Sequence, residues 1–242
     1  HDEATIGSAF SDVISKSNMT LSSVELLNEE SVPKDAAAII INAPQKDFNK
    51  NDAQKVIDYM QKGGKAIIVG MYSETEMPNF ASILDTYGVS LTTGPIADND
   101  AQHYYNMGGP LYLLPNVNSS SYTGSLSGGY VYLPIALGIN YPQNSTTDDT
   151  ESTEESKTTY TSLLDTSDDA VAKNNPNSMQ DYGYEDGDDK GPFSVGLAVE
   201  DKVDDDHTTQ LVVFASPYVF SDDASQMTTN NASLFSDVIG NM

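Results

Sequence analysis

The chain has no cysteine among its 242 residues. Disulfide bonds, thiolate metal sites and cysteine nucleophiles are therefore excluded. Basic residues are scarce as well, because 11 lysines and arginines face 36 acidic residues, for a formal net charge of -25. A field of this sign repels nucleic acid and anionic lipid headgroups, so we exclude both as partners.

Long apolar runs are missing too. Spanning a bilayer takes roughly 18 consecutive apolar residues. The longest candidates, residues 130–139 and 211–220, are shorter, and each contains a proline. No signal peptide is visible, and the sequence begins abruptly at His1. We therefore expect a fragment whose membrane anchor has been removed.

Helix and strand patterns alternate through the first part of the chain. Continuous apolar runs at residues 36–41 and 66–69 predict short buried strands, and residues 211–215 predict another near the end. We expect these three strands to be neighbours in one sheet. Residues 49–60 have the i, i+3, i+4, i+7 spacing of an amphipathic helix, with Asn49 as its N-cap. Buried strands separated by single helices indicate an α/β fold, with a mostly parallel sheet in a flavodoxin-like, doubly wound layout.

The composition changes in the middle of the chain. Residues 100–145 are rich in Tyr, Gly, Ser, Asn and Pro, with strand patterns set among turn signals. We predict one domain over residues 1–242. Its core is formed by about residues 1–99 and 191–242, and a β-rich insertion occupies about residues 100–190.

Acidic residues concentrate in three stretches, at residues 144–156, 181–189 and 200–206. We interpret the first as a solvated, flexible loop and the third as the tip of a hairpin. The second has calcium binding as an alternative, because hard cations prefer clustered oxygen ligands. Gly183 stands against it, since it occupies a position where an EF-hand-type loop carries a ligand.

Six stretches, taken in order, cover nearly the whole chain. They are VPKDA leading through III to AP (32–44), FN with DYMQKGGK (48–65), LDTYGV with GPIAD (84–98), YTSLLDTS (160–167), GPFSVGLAV (191–199) and LVVFAS with NN and LF (211–235). No single stretch is diagnostic, but the ordered set resembles the ABC-transporter auxiliary domain of the GldG family, the gliding-motility-type transporter component.

The resemblance implies a non-catalytic binding or scaffolding domain outside the cytoplasmic membrane. Its partners would be ABC permease and ATPase subunits, and transmembrane helices absent from this chain would tether it. The implied fold is similar to the glutamine-amidotransferase-like α/β domains without their catalytic residues. Two features depart from the family, because its apolar strand before the position of His1 is missing and the chain stops at Met242 without a membrane helix. We expect no enzymatic activity and no cofactor.

Enzyme and metal alternatives rest on weak patterns. The sequence GSLSG (124–128) places leucine where a serine elbow needs its nucleophile, and Ser31 with Lys34 has S-x-x-K spacing ahead of a strand. We interpret both as chance and keep a hydrolase without recognisable motifs as an alternative. His103 and His207 follow aspartates, a combination that can bind metal. We favour solvated loops there and expect no metal site.

Tyrosines crowd into the middle of the chain. Tyrosine offers rigid amphipathic contact area that suits recognition of a glycan or a peptide, but it is also common in ordinary β structure, which is the interpretation we favour. A carbohydrate-binding module of the cell envelope is thus the alternative function. These tyrosines are Tyr104, Tyr105, Tyr112, Tyr122, Tyr130, Tyr132 and Tyr141.

Three residues directly follow the apolar strands. Open α/β sheets bind ligands at the carboxyl ends of their parallel strands. Asn42, Tyr72 and Ser216 lie at or just beyond those ends. We therefore predict that any ligand-facing surface of the core includes these three side chains.

Overall fold

The structure, a computed structural model, describes residues 3–124, 126, 130–143, 157–174 and 181–242. The helices are α1 (Ser8–Lys16), α2 (Lys50–Met60), α3 (Pro78–Asp85), α4 (Asp222–Met227) and α5 (Asn230–Asn241). The strands are β1 (Ile39–Asn42), β2 (Lys65–Val69), β3 (Ser90–Asp98), β4 (Tyr112–Leu113), β5 (Asn116–Val117), β6 (Leu133–Pro134), β7 (Leu137–Asn140), β8 (Thr158–Asp165), β9 (Ala170–Ala172), β10 (Asp189–Lys190), β11 (Ser194–Lys202) and β12 (Thr208–Phe214).

Ten of the strands in these described ranges form one mixed sheet. Its order is β1-β2-β12-β11-β7-β3-β9-β10, with β8 paired to β11 and β5 paired to β8, while β4 and β6 pair separately. Strands β1, β2 and β12 are parallel neighbours, since Ile41 is in register with Ile68 and Ile68 with Val213. The prediction that the three apolar runs are neighbouring strands is confirmed.

The prediction of a mostly parallel sheet is wrong. Outside β1, β2 and β12, every strand pair in the described part of the chain is antiparallel. Strands β11 and β12 are joined by a short hairpin with Lys202 opposite Thr208, a connection that only antiparallel strands allow. Strand β7, from the predicted insertion, lies between β3 and β11 and is antiparallel to both. An apolar run indicates that a strand is buried, but not its direction.

Helices cover both faces of the sheet. On one face, Ile67 of β2 belongs to the apolar cluster that contains Phe10 of α1 and Phe235 of α5. On the other, the adjacent Ile68 belongs to the cluster that contains Val56 of α2 and other side chains of α2 and α3. Successive strand residues point to opposite faces, so a strand buried on both sides must be apolar throughout. The α/β class predicted from the sequence is confirmed.

The helix starts follow from local hydrogen bonding. Asn49 is the predicted N-cap of α2, and its side chain accepts a hydrogen bond from the Asp52 backbone N–H at 2.9 Å. Helix α3 begins at Pro78, as expected of a proline in the first turn. The Asp47 carboxylate accepts from the backbone N–H of Phe80, at the end where a negative charge is favourable. No helix in the described ranges has both the length and the apolarity to cross a membrane.

A buried asparagine connects the middle segment to the last helix. Asn231 of α5 is fully buried. Its Oδ1 accepts from the backbone N–H of Tyr132, and its Nδ2 donates to the carbonyls of Tyr132 and Val219. This amide meets three backbone groups that would otherwise lie unpaired in an apolar interior.

Candidate functional site

The predicted site at the carboxyl ends of the parallel strands is closed by other parts of the chain. Asn42, the last residue of β1, is 2% exposed. Its Nδ2 donates to the Ala4 carbonyl at 2.8 Å, and its backbone N–H donates to the Glu3 carboxylate at 3.0 Å. The Asn42 Oδ1 is buried and has no hydrogen-bond partner among the described residues. The N-terminal segment thus lies across the end of β1.

Ser216 is fully buried just beyond β12. Its Oγ donates to the Pro134 carbonyl at 2.6 Å, and the nearby Leu137 N–H donates to the Ala215 carbonyl at 2.8 Å. The segment from β6 to β7 therefore covers the end of β12. Between those strands Ile135 has φ 53°, a left-handed conformation that is rare for a β-branched residue.

Tyr72 is the one member of the predicted trio with partial exposure. It lies in the loop between β2 and α3 and packs against the cluster formed with α2 and α3. Asn42 and Ser216, in contrast, offer almost no exposed surface to a ligand. The sequence placed the three residues at the same edge of the sheet, but contacts from distant segments determine what they can touch.

An open cleft lies instead on the middle segment. Its volume is about 580 Å³. We call it the insertion cleft and define it by Gln102, His103, Asn116, Asn118, Thr123 and Tyr130. Apart from His103 and Tyr130, sequence analysis did not single out these residues. The available signal was the pairing of Asn116 with Asn118, because residues i and i+2 of an extended chain point to the same side.

Two hydrogen bonds and one close carboxylate–imidazole contact lie at the floor of the insertion cleft. Asp98, 1% exposed, accepts from the backbone N–H of Asp100. The Asp100 carboxylate lies 3.2 Å from His103 Nδ1, and His103 Nε2 lies 3.1 Å from Asn116 Oδ1. The backbone N–H of Gln102, and then the imidazole, lower the pKa of Asp100. Asp100 therefore stays ionised beside the ring, but His103 Nδ1 is buried with no hydrogen-bond partner among the described residues, so the ring is held through Nε2 and Asn116.

A buried lysine organises the second acidic stretch. Lys173 is fully buried, and its Nζ donates to Asp188 at 2.6 Å, to Glu185 at 3.2 Å and to the Gly183 carbonyl at 2.7 Å. Burial alone would lower the pKa of Lys173, but the hydrogen bonds that its ammonium donates to the carboxylates of Asp188 and Glu185 raise it. The Lys173 ammonium thus neutralises part of the acidic charge of this stretch. In the calcium-binding alternative, a bound calcium ion would have had that role.

Of the other two acidic stretches, the structure describes only the one at residues 200–206. Residues 144–156 lie outside the described residues. The predicted hairpin between β11 and β12 is present, but its tip is residues 203–207, because residues 200–202 extend β11; there His207 Nδ1 lies 2.8 Å from Asp204 Oδ1. In the described part of the chain, no three His, Asp or Glu side chains come together as a metal-binding group.

The tyrosines of the middle segment mostly pack inward. Tyr122 and Tyr132 are 4% and 7% exposed, and Tyr132 contacts the rings of Tyr105 and Tyr112 with centroid distances of 6.3 Å. Tyr130 is 38% exposed. Tyr122 and Tyr132 therefore belong to the core, the other tyrosines except Tyr130 are half-buried, and Tyr130 offers exposed surface to the insertion cleft.

Comparisons with known proteins give a similarity of fold. No family model matches the chain, and no curated protein matches it. Among solved structures, the mmIFT52 N-terminal domain is similar, with a TM-score of 0.61, 14% identity, and coverage of 93% of this chain and 85% of that one. At this identity the likeness describes the fold alone, because one fold supports many functions.

Proposed function

We propose that this chain is a non-catalytic binding or scaffolding domain that lies outside the cytoplasmic membrane and works beside the permease and ATPase of a bacterial ABC transporter. The ordered sequence resemblance to GldG-family domains supports the transporter context. In the full-length protein, helices absent from this chain would tether the domain to the membrane.

The closed carboxyl edge of the parallel strands is the observation that carries the non-catalytic assignment. Enzymes with open α/β sheets use a crevice at this edge. Here Asn42 and Ser216 are buried and bonded to the carbonyls of Ala4 and Pro134. Opening the edge would expose those carbonyls and break the packing of two separate segments. The arrangement suits a rigid platform better than a reaction centre.

We also infer that the core is a modified flavodoxin-like, doubly wound layout, as in glutamine-amidotransferase-like domains. Its support is the parallel group β1-β2-β12 and the presence of helices on both faces. In this interpretation β1, β2 and β12 are the parallel part of such a layout. The antiparallel strands β11, β7 and β3 continue the sheet beyond it.

The transporter assignment can be tested by crosslinking in the native host. A photoreactive amino acid at Leu27 or Met107, which are 76% and 85% exposed, would report neighbours of the full-length protein without disturbing its core. We expect crosslinks to an ABC permease subunit, and co-purification of the ATPase from detergent-solubilised membranes. Protease added to spheroplasts should cleave the domain.

Two results would contradict the proposal. One is protection of the domain from external protease until the membrane is broken. The other is a set of crosslinks confined to proteins that are not part of any transporter. A probe at buried Ile68 is the matched negative control, because a residue with no exposed surface cannot reach a partner.

A further inference from the structure

We propose that the insertion cleft binds a neutral saccharide. The cleft was defined above by Gln102, His103, Asn116, Asn118, Thr123 and Tyr130. Its volume of about 580 Å³ lies in the range of small-molecule sites and accommodates one or two sugar rings. This activity goes beyond the transporter role and does not depend on it.

The insertion cleft differs from the protein as a whole in its charge. The chain carries a formal net charge of -25, yet no Asp, Glu, Lys or Arg side chain is found among the described residues that line the cleft. Anionic ligands are repelled by the field of the whole protein. A cationic ligand finds no carboxylate among the described lining residues, because Asp100 and Asp165 lie behind His103 and Asn118. The chemistry therefore favours an uncharged ligand.

Hydrogen-bonding capacity remains open in the lining. Among the described residues, the side-chain amide of Gln102 and the Nδ2 of Asn116 have no protein partner, and neither does the Oδ1 of Asn118. Amides offer donors and acceptors together. A sugar hydroxyl needs both, since it donates one hydrogen bond and accepts others. Three amide side chains in one cleft therefore suit a ligand that carries several hydroxyl groups.

Apolar surface accompanies these polar groups. Leu114, Val117 and Leu126 contribute to the lining, and Tyr130 presents 38% of its surface. The C–H face of a sugar ring packs against apolar and aromatic surface while its hydroxyls bond to polar groups. Tyrosine suits that contact because it combines a large apolar ring with a polar tip.

The floor of the insertion cleft is arranged before any ligand arrives. Asp98 accepts a hydrogen bond from the Asp100 backbone N–H, and His103 Nε2 hydrogen-bonds to Asn116 Oδ1 at 3.1 Å. On the other side, Asn118 donates to the Asp165 carboxylate at 2.6 Å. Amides fixed in this way lose little side-chain entropy on binding, which favours affinity.

A peptide is the alternative occupant. Strand β5 pairs with β8 and is an edge strand, to which an extended peptide could add by backbone hydrogen bonds. That strand is only Asn116–Val117. So short an edge offers few backbone groups, so we favour the saccharide.

The test uses the whole chain and immobilised arrays of neutral and of acidic oligosaccharides. We expect binding to neutral oligosaccharides alone. In ¹⁵N-labelled protein, titration with the best neutral oligosaccharide should shift the amide signals of residues 102–103 and 116–119. Tyr130→Ala should weaken binding about three- to tenfold and Asn116→Ala about fivefold, from the usual contributions of a ring contact and a hydrogen bond.

The matched control is Tyr184→Ala, which removes a 51% exposed tyrosine outside the insertion cleft and should leave the affinity unchanged. The proposal is overturned if no neutral oligosaccharide binds at millimolar concentration. It is also overturned if binding occurs but the shifts map elsewhere, or if an extended peptide library gives the shifts at residues 116–119 and the oligosaccharides do not. Because no transporter subunit is present, failure here leaves the transporter proposal standing.

Discussion

Lys173 and Asp188 form an ion pair inside the protein, with 2.6 Å between Nζ and Oδ2, and both side chains are almost completely buried. Asp188 also accepts hydrogen bonds from the backbone N–H groups of Asn174 and Glu185. A carboxylate and an ammonium with this many partners are compensated for their loss of water. The pair therefore fixes the acidic stretch around residues 183–189 to strand β9 and the residues that follow it.

Lys173→Met should destabilise the protein markedly. The substitution leaves Asp188 buried without its counter-charge, and breaking a buried pair in this way costs about 3 kcal/mol. Urea unfolding followed by circular dichroism measures the change in the free energy of unfolding. The control is Lys202→Met, which removes a lysine whose pair with Asp205 is exposed and should change stability little. Equal effects of the two substitutions would contradict a structural role for the buried pair.

The contribution of Asp188 should depend on pH in a defined direction. Burial alone would raise the pKa of Asp188, but the Lys173 ammonium and two backbone N–H groups hold it below its ordinary value of 3.8. A carboxyl with a depressed folded-state pKa stabilises the fold above the unfolded-state value, and that stability is lost as the pH falls through the folded-state value. The difference in unfolding free energy between the wild type and Asp188→Asn should therefore shrink below about pH 4. A constant difference down to pH 2 would argue against the pair.

Ile135→Gly should give a more stable protein than Ile135→Ala. Both variants lose the same side chain beyond Cβ, but Ile135 has φ 53°, where a Cβ is unfavourable by about 1 kcal/mol. Glycine adopts this conformation freely, so the usual order of alanine above glycine should be reversed. The melting temperature and the free energy of unfolding in urea, measured for both variants, show which of them is more stable. Greater stability of the alanine variant would show that the left-handed conformation is not retained.

Asn231→Asp should destabilise the protein by about 2–3 kcal/mol. The carboxylate has nearly the shape of the amide and can still accept from the Tyr132 N–H, but it cannot donate to the carbonyls of Tyr132 and Val219. Asn18→Asp makes the same chemical change at an exposed position and serves as the control. Unfolding free energies at neutral pH measure both, and similar values for the two would contradict the proposed role of the Asn231 amide.

Local patterns predicted the central elements well. The runs at residues 36–41, 66–69 and 211–215 overlap β1, β2 and β12, although β1 begins only at Ile39, and the Asn49 cap starts α2 as expected. These features depend on neighbouring residues, so the sequence carries them directly. Strand β8 was not predicted, because its residues mix threonine and serine with apolar positions and its burial comes from β11 and β5.

Contacts between residues far apart in the sequence account for the features that local patterns did not predict. Asn42 was correctly placed at the end of a strand, but it is covered by Ala4, 38 positions away. Ser216 is covered by Pro134, 82 positions away. No local periodicity encodes such partners. The insertion cleft was missed for the same reason, since Gln102 and Asn118 become neighbours only when the middle segment folds.

The strand order has a consequence for biosynthesis. Strand β12 comes after every other described strand in the sequence, yet it lies between β2 and β11 in the sheet. Until residue 208 has emerged, the backbone groups along one edge of β2, including those of Ile67 and Ile68, have no strand to pair with. Such an unpaired edge can pair with other chains. A nascent chain would therefore expose an aggregation-prone strand edge from the emergence of β2 until β12 has been made. Premature termination before β12 should yield insoluble protein instead of a smaller folded unit.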